Sequence, residues 1–391
     1  MEKFNIVHRR KNTRSLKWDS LQAVFSTEDV LPMWVADMDF KAPEAVNDAL
    51  LERVKHGIYG YTVIDDPIKD SIVNWASKRY NWDIAPEWLT FSSGVVTSLH
   101  AAVQAFTNRG DRILIQTPVY PPFYQVIQRH NRKIVKNSLI QTDNGYRINF
   151  NDFEQKLTTG VKAFILCSPH NPGGRVWTRN ELEEMARLCM KHNVLIISDE
   201  IHADIVFPGH QHIPIASLSQ EVSHHTVTCM SPTKTFNLAG LQVSYVVTEN
   251  NSLRNHLNNQ FQKQGDTMLN TMGITALEAA YNYGDKWVNN IVALLHEHQQ
   301  YVTKTLEKYT NLKVMPIEGT YLLWIDCSAL QMDHKDLERF MIEQAKVGLN
   351  SGYSYGEEGK SFMRMNIACP KATLEEGVKR IVQAVKNLSR I

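Results

Sequence analysis

The chain has 391 residues, 43% of them hydrophobic and 21% charged, an ordinary globular balance long enough for two or three domains. Its 42 basic and 41 acidic side chains leave a net charge of +1, so no global field draws in nucleic acid or an anionic membrane. Apolar runs such as Ala163 to Cys167 fall far short of the ~20 residues that span a bilayer.

At the N-terminus, MEKFNIVHRRKNTR is basic but has no apolar segment behind it, so no signal peptide is expected. From about residue 88 to 250, short apolar runs alternate with amphipathic helical patterns: WLTFS (88–92), RILIQ (112–116), KAFILC (162–167), NVLIIS (193–198) and TVTCM (226–230). Runs that are apolar throughout predict strands covered on both faces, hence a mostly parallel sheet. A helical stretch is expected at 95–107. Between two of the later runs, Thr178 and Glu181 have capping-box spacing ahead of a stripe of Leu182, Met185, Ala186 and Cys189. The result is a βαβ pattern and an α/β fold.

The last hundred residues read differently. A helical bridge over 266–310 leads to two strands, at 320–326 (TYLLWID) and 361–368 (SFMRMNIA), each followed by a helix, near 334–345 and 373–388. The final helix is expected to open on a second capping box, Thr373 with Glu376. This order predicts a smaller α+β domain. The five cysteines contain no CxxC and read as buried free thiols of a reducing, cytoplasmic compartment.

In open α/β sheets, ligands bind at the carboxyl ends of the strands. After the first run come Ser93, Gly94, Val95 and Val96. After the second comes Tyr120, after the third SPHNPGG with Asn171, after the fourth Asp199 and His202, and after the fifth Ser231 and Lys234. Five successive strand ends thus offer a glycine turn at a helix start, an aromatic, an amide, an acid and a lysine. A helix N-terminus suits a phosphate, and the Tyr120 ring can stack on an aromatic plane. Asp199 can keep a pyridine nitrogen protonated, and Lys234 can form a Schiff base with an aldehyde. Pyridoxal 5′-phosphate fits all of these. Singly, each residue has a plainer reading: Asp199 as a helix cap, Lys234 as a solvated side chain, Tyr120 as packing. Their order carries the argument.

The motifs SPHNPGG, SDEIH, SPTKTFNLAGL and FMRMNIACP resemble those of the fold-type I pyridoxal-phosphate enzymes, aminotransferase class I/II. MWVADMDF, SDEIH and GYSYGEEG are similar to the cystathionine β-lyase branch of that superfamily. The resemblance covers essentially the whole chain. It implies a large cofactor-binding domain over 46–288, an αβα sandwich, and a small α+β domain built from 1–45 and 289–391. It implies that Lys234 is the Schiff-base lysine and the base for the substrate Cα proton, and that Asp199 pairs with the ring nitrogen. Asn171 would contact the ring oxygen and the substrate, Tyr120 would stack on the ring, and Gly94, Val95, Val96 and Ser231 would hold the phosphate. Arg364 would grip the substrate carboxylate, with the backbone near Ala36 opposite. Tyr61 would reach the phosphate of a neighbouring subunit, which implies a homodimer.

Two positions depart from the wider superfamily. His202 stands where many members carry Tyr, and is expected still to reach the ring oxygen. Gln242 stands where many carry a phosphate-binding Arg, a charge-assisted contact worth about 1.5–3 kcal/mol. Rival readings are weaker. Ser231-x-x-Lys234 also fits a serine–lysine acyl-transfer motif, but the companion S-D-N and K-T-G are absent. His202, His210 and His212 invite a metal, but no HExxH or Cys partner set accompanies them, and the Pro208–Gly209 region reads as a surface loop without metal. Two chemistries share the residue set: carbon–sulfur β-elimination on a sulfur amino acid, favoured by the branch motifs, and transamination as the alternative. A purely regulatory role fits poorly with an intact lysine and cofactor set.

Overall fold

The computed structural model describes residues 2–388. Its central sheet has seven strands: β1 (Leu89–Ser92), β2 (Arg112–Thr117), β3 (Lys133–Ser138), β4 (Val161–Cys167), β5 (Leu195–Asp199), β6 (Thr226–Met230) and β7 (Ser244–Val247). Their spatial order is β1-β7-β6-β5-β4-β2-β3. From β3 to β6 every pairing is parallel, and β7 alone runs against both its neighbours. The mostly parallel α/β sheet expected from the apolar runs is therefore present. Two strands escaped that reading for opposite reasons. β3 lies at the sheet edge with half its side chains in contact with water, so KIVKNS is too polar. β7 is buried but has only four residues.

Side chains alternate between the two faces of this sheet, and both faces are covered. Ile113, Ile115, Ala163, Ile165 and Ile197 point to one side, where they pack with Leu99 and Val103 of the helix Val95–Phe106 and Phe123 of the helix Pro121–Arg129. Leu114, Phe164, Leu166 and Ile196 point to the other, against Phe153 and the stripe Leu182, Met185, Ala186 and Cys189. That stripe belongs to the helix Arg179–Lys191, whose Thr178/Glu181 capping box is formed in both directions.

A second, four-stranded sheet is built from Lys313–Val314, Leu322–Asp326, Phe362–Asn366 and Asn350–Ser351, in that spatial order and antiparallel throughout. The long helix Asp285–Tyr309 and the last helix Lys371–Leu388 pack on it. The N-terminal segment joins the same core through Phe4, Met33, Met38 and Phe40, and Leu31 pairs in parallel with Val347. The expected second capping box does not form. The helix begins at Lys371, directly after Pro370, so Thr373 already lies in its first turn and Glu376 instead accepts from Arg380 (2.8 Å). The helix expected near 334–345 is His334–Arg339, followed by a π-turn at Phe340–Gln344.

All five cysteines are buried and free, as expected. The surface-loop reading of His212 is corrected. It is buried, and its Nε2 lies 2.7 Å from Oε2 of the equally buried Glu200. Glu200 also accepts from Ser198 Oγ and from the N–H of Ile215, so this pair ties the stretch after β5 into the core. No described helix is long and apolar enough to cross a membrane.

Candidate active site

At the carboxyl ends of β4, β5 and β6 the chain leaves the sheet through Asn171, Asp199 and Lys234, as the strand-end reading anticipated. Asp199 closes β5 and is buried; among the described residues its carboxylate forms no ion pair and accepts one hydrogen bond, from the Ile201 N–H (3.2 Å). Burial pushes its carboxyl up to about 7, with the Ile201 N–H and Lys234 opposing and neighbouring Glu200 adding to the rise. Lys234 sits on the short helix Pro232–Thr235, and its Nζ donates to the carbonyl of Ala36 (2.8 Å). Burial first, then Arg364, pulls its amine down to about 8, against the pull of Asp37 and Asp199. A group with that pKa exchanges a proton near neutrality, as a catalytic base must.

Arg364 lies in the middle of Phe362–Asn366 and is buried. Nη1 donates to Asn171 Oδ1 (3.1 Å), while Nη2 donates to the Trp34 carbonyl (2.9 Å) and Asn350 Oδ1 (2.7 Å). The guanidinium carbon lies 5.1 Å from the centre of the Tyr355 ring. Asn171 is therefore in direct contact with Arg364 although 193 residues apart in sequence. Tyr120 caps the helix Pro121–Arg129, and its N–H donates to the Asn171 carbonyl (3.1 Å). Burial raises its phenol, while the charge of Arg364 lowers it and that of Asp199 raises it.

Gly94 precedes the helix that starts with Val95 and Val96. The chain turns from strand to helix through Ser93 and Gly94, with Gly94 at the N-cap; its φ of 175° is extended backbone open to any residue. What glycine leaves is space: a Cβ there would come no nearer than 3.9 Å to another atom, Thr97 Oγ1. Ser231 is buried with its hydroxyl occupied. Oγ accepts from the Thr233 N–H, donates to the Val243 carbonyl (2.7 Å) and lies 2.7 Å from Thr233 Oγ1. Gln242 is exposed and in the left-handed region, with φ of 49°. Tyr61 stands apart from the rest, 93% exposed on the stretch after the helix Glu44–His56.

Several groups here went unrecognised as individuals in the sequence. Asn366 donates to the carbonyls of Val35 (2.5 Å) and Asp37 (2.6 Å), and Asn237 bonds to both the N–H and the C=O of Met38. The Tyr321 hydroxyl shares the Ala36 carbonyl with Lys234 (3.0 Å). Trp34, Asn350 and Tyr355 surround Arg364. Most lie inside or beside the quoted motifs, but a motif does not say which of its atoms meet.

The polar groups left over describe what the site can hold. Asp199 has acceptor capacity beyond one N–H, so it can accept from a protonated ring nitrogen. The buried Nδ1 of His202 has no hydrogen-bond partner among the described residues, and burial with nearby Lys234 and Arg364 keeps that imidazole neutral, down to about 3. Nε of Arg364 is likewise buried and without a hydrogen-bond partner among the described residues. An amine at Lys234, a free acid, a neutral imidazole and a guanidinium suit a pyridine aldehyde and an amino-acid carboxylate.

The family model for aminotransferase class I and II matches residues 28–381. The chain is 43% identical to cystathionine beta-lyase PatB of Bacillus subtilis over 381 residues, 96% of this chain and 98% of the relative. It is 32% identical to protein MalY of Escherichia coli, covering 98% of both. Among solved structures it superposes on cystalysin from Treponema denticola, which contains a pyridoxal 5′-phosphate cofactor, with a TM-score of 0.96 and 35% identity over 98% of this chain and 99% of that one. A fold, a strand-end site and a relationship that run the length of the chain place it in the aminotransferase class I and II family.

Proposed function

We propose that this protein is a pyridoxal-phosphate-dependent carbon–sulfur β-lyase, splitting cystathionine or another cysteine S-conjugate with one water into a thiol, pyruvate and ammonia. What supports the reading is the Arg364–Asn171 contact and a Lys234 amine under the influence of Arg364 and Asp199, in a chain 43% identical to a protein named cystathionine beta-lyase. Bound pyridoxal phosphate supplies an electron-withdrawing ring that acidifies the substrate Cα–H. Asp199 would hold the proton on its ring nitrogen, Tyr120 would pack against the ring, and Asn171 and His202 would serve its oxygen. The α-amino-acid carboxylate takes the free edge of Arg364, beside Asn171.

Lys234 Nζ moves the proton from the substrate Cα. The Ala36 carbonyl, itself steadied by Tyr321, aims that amine. Gly94, Val95 and Val96 offer the phosphate the open helix N-terminus. Ser231 shapes the cradle through the Thr233 N–H it caps, because its own hydroxyl is engaged. No Arg stands at Gln242, so helix dipole and backbone N–H groups carry more of the phosphate binding.

We further propose a cytoplasmic homodimer serving sulfur-amino-acid metabolism, with the chain divided into 46–288 and 1–45 plus 289–391. Tyr61 and its exposed apolar neighbours Val54, Ile58, Tyr59 and Val63 support a second subunit on that face. The β-lyase reading is tested by giving the yellow holoenzyme L-cystathionine without any oxo acid. Stoichiometric pyruvate, ammonia and thiol over many turnovers are expected. One turnover that stalls and restarts with an oxo acid would make it an aminotransferase.

A further inference from the structure

A cavity of about 730 Å³ opens onto Lys234 and Ala36, and its outer wall comes from the N-terminal segment. The basic side chains around it divide into two sets. Arg10 is bound to Asp37 and Asp39 (both 2.7 Å), and buried Lys17 to Asp39 (2.7 Å), so the two acids of MWVADMDF are neutralised within the wall. Arg9, Arg14 and Lys41 line the same cavity, are exposed, and form no side-chain hydrogen bond or ion pair among the described residues. Their charges face the opening unspent.

The turn that carries Arg14 is a built one. The Asp19 carboxylate accepts from the N–H groups of Asn12, Thr13 and Ser15, and both Asn12 (φ 66°) and Arg14 (φ 61°) are held in the left-handed region. The wall behind it is anchored by Trp18 Nε1 on Asp39 (2.9 Å) and Trp34 Nε1 on the Lys17 carbonyl (3.1 Å). A mouth lined by one sign of charge with protein walls focuses its field outward and raises the local concentration of opposite charge.

Resting on the β-lyase reading, we propose that Arg9, Arg14 and Lys41 form a specificity rim that takes an anionic group on the leaving half of the substrate. Cysteine thioethers whose departing thiol carries a carboxylate are its preferred class. Arg364 serves the α-carboxylate deep in the site, and the rim serves a second carboxylate at the mouth. This accounts for unpaired cations at an opening whose own acids are already neutralised.

The test compares S-(2-carboxyethyl)-L-cysteine with its neutral isostere S-(2-carbamoylethyl)-L-cysteine on the holoenzyme. It uses the unsubstituted protein and the triple variant Arg9→Gln, Arg14→Gln, Lys41→Gln. The expected result is a kcat/KM about tenfold lower in the variant for the carboxylate alone, the neutral isostere being unchanged. Raising ionic strength from about 0.01 M to about 0.15 M, which shortens the screening length from roughly 30 to 8 Å, should erode the advantage of the carboxylate. Equal loss for both substrates, or no loss for either, would overturn the rim. Absence of pyruvate from both in the unsubstituted protein would instead remove the lyase reading. The rim is then read from the shift each amino acid causes in cofactor absorbance: charge-selective loss of affinity supports it, and its lack overturns it.

Discussion

The proposed function places its heaviest demand on Lys234, and the surroundings of that residue suit it. Burial and Arg364 favour the neutral amine, and the Ala36 carbonyl gives that amine a direction. Lys234→Ala is expected to abolish turnover and to remove the visible absorbance of the lysine-bound cofactor; a variant that still turns over would refute the assignment. Arg364 holds Trp34, Asn350 and Asn171 with one planar fork, and the proposed function adds the substrate carboxylate to its partners. Lysine cannot reproduce a fork. Arg364→Lys should therefore raise KM at least about tenfold with a smaller change in kcat, in line with about 2–5 kcal/mol for a buried charged contact. An unchanged KM in steady-state assays would argue against the carboxylate role.

At the scale of elements, the stretch 34–40 does more for the site than its lack of regular structure suggests. It contributes the Trp34 and Ala36 carbonyls, and it is stitched down by Asn366, Asn237 and the ionic group of Arg10, Lys17, Asp37 and Asp39. Burial disfavours the charge on Asp39, but Lys17 together with hydrogen bonds from Lys17, Trp18 and Arg10 prevails and holds its carboxyl below the ordinary range. A depressed carboxyl contributes stability that is present above its unfolded value of ~3.9 and lost as pH falls through the lower folded value. The N-terminal segment should thus loosen only in strong acid, which amide exchange of residues 10–40 against pH would show. Lys17→Met leaves Asp39 buried with one partner fewer and is expected to cost about 3–5 kcal/mol. It should be seen as a lower urea midpoint; an unshifted midpoint would mean that Arg10 suffices.

Across the whole molecule, the two sheets meet over the site through a loop of GYSYGEEG. Glu358 Oε1 accepts from Thr117 Oγ1 and Ser138 Oγ (both 2.6 Å) at the ends of β2 and β3. The Tyr355 carbonyl accepts from the Val119 N–H (2.9 Å) and the Tyr124 hydroxyl (2.7 Å). One loop therefore braces the Tyr120 turn from one side and Arg364, through the Tyr355 ring, from the other. Glu358→Ala should raise KM several-fold with kcat nearly kept, and Glu358→Gln, which retains an acceptor, should recover most of it. Equal kinetics in all three proteins would show the brace to be dispensable. The proposed homodimer is tested at Tyr61: Tyr61→Ala is expected to weaken cofactor retention, measured by dialysis of the holoenzyme, while sedimentation reports whether a dimer forms in either protein.

From the sequence alone came the α/β class, five of the seven central strands, and the order in which amide, acid and lysine leave the sheet. These are legible because strands buried on both faces must be apolar throughout, and because parallel strands put every following loop on the same side. The family resemblance added roles for Tyr61, Ala36 and Arg364 that no periodicity could supply. Tertiary structure decided the rest. It joined Arg364 to Asn171 across 193 residues, turned His212 inward onto Glu200, and spent the Ser231 hydroxyl on Val243. It also sorted the N-terminal cations into those neutralised by Asp37 and Asp39 and those left facing the cavity. Such pairings depend on which distant atoms share one low-dielectric space. Local sequence carries the propensity of each segment, whereas only the packed chain determines who neutralises whom.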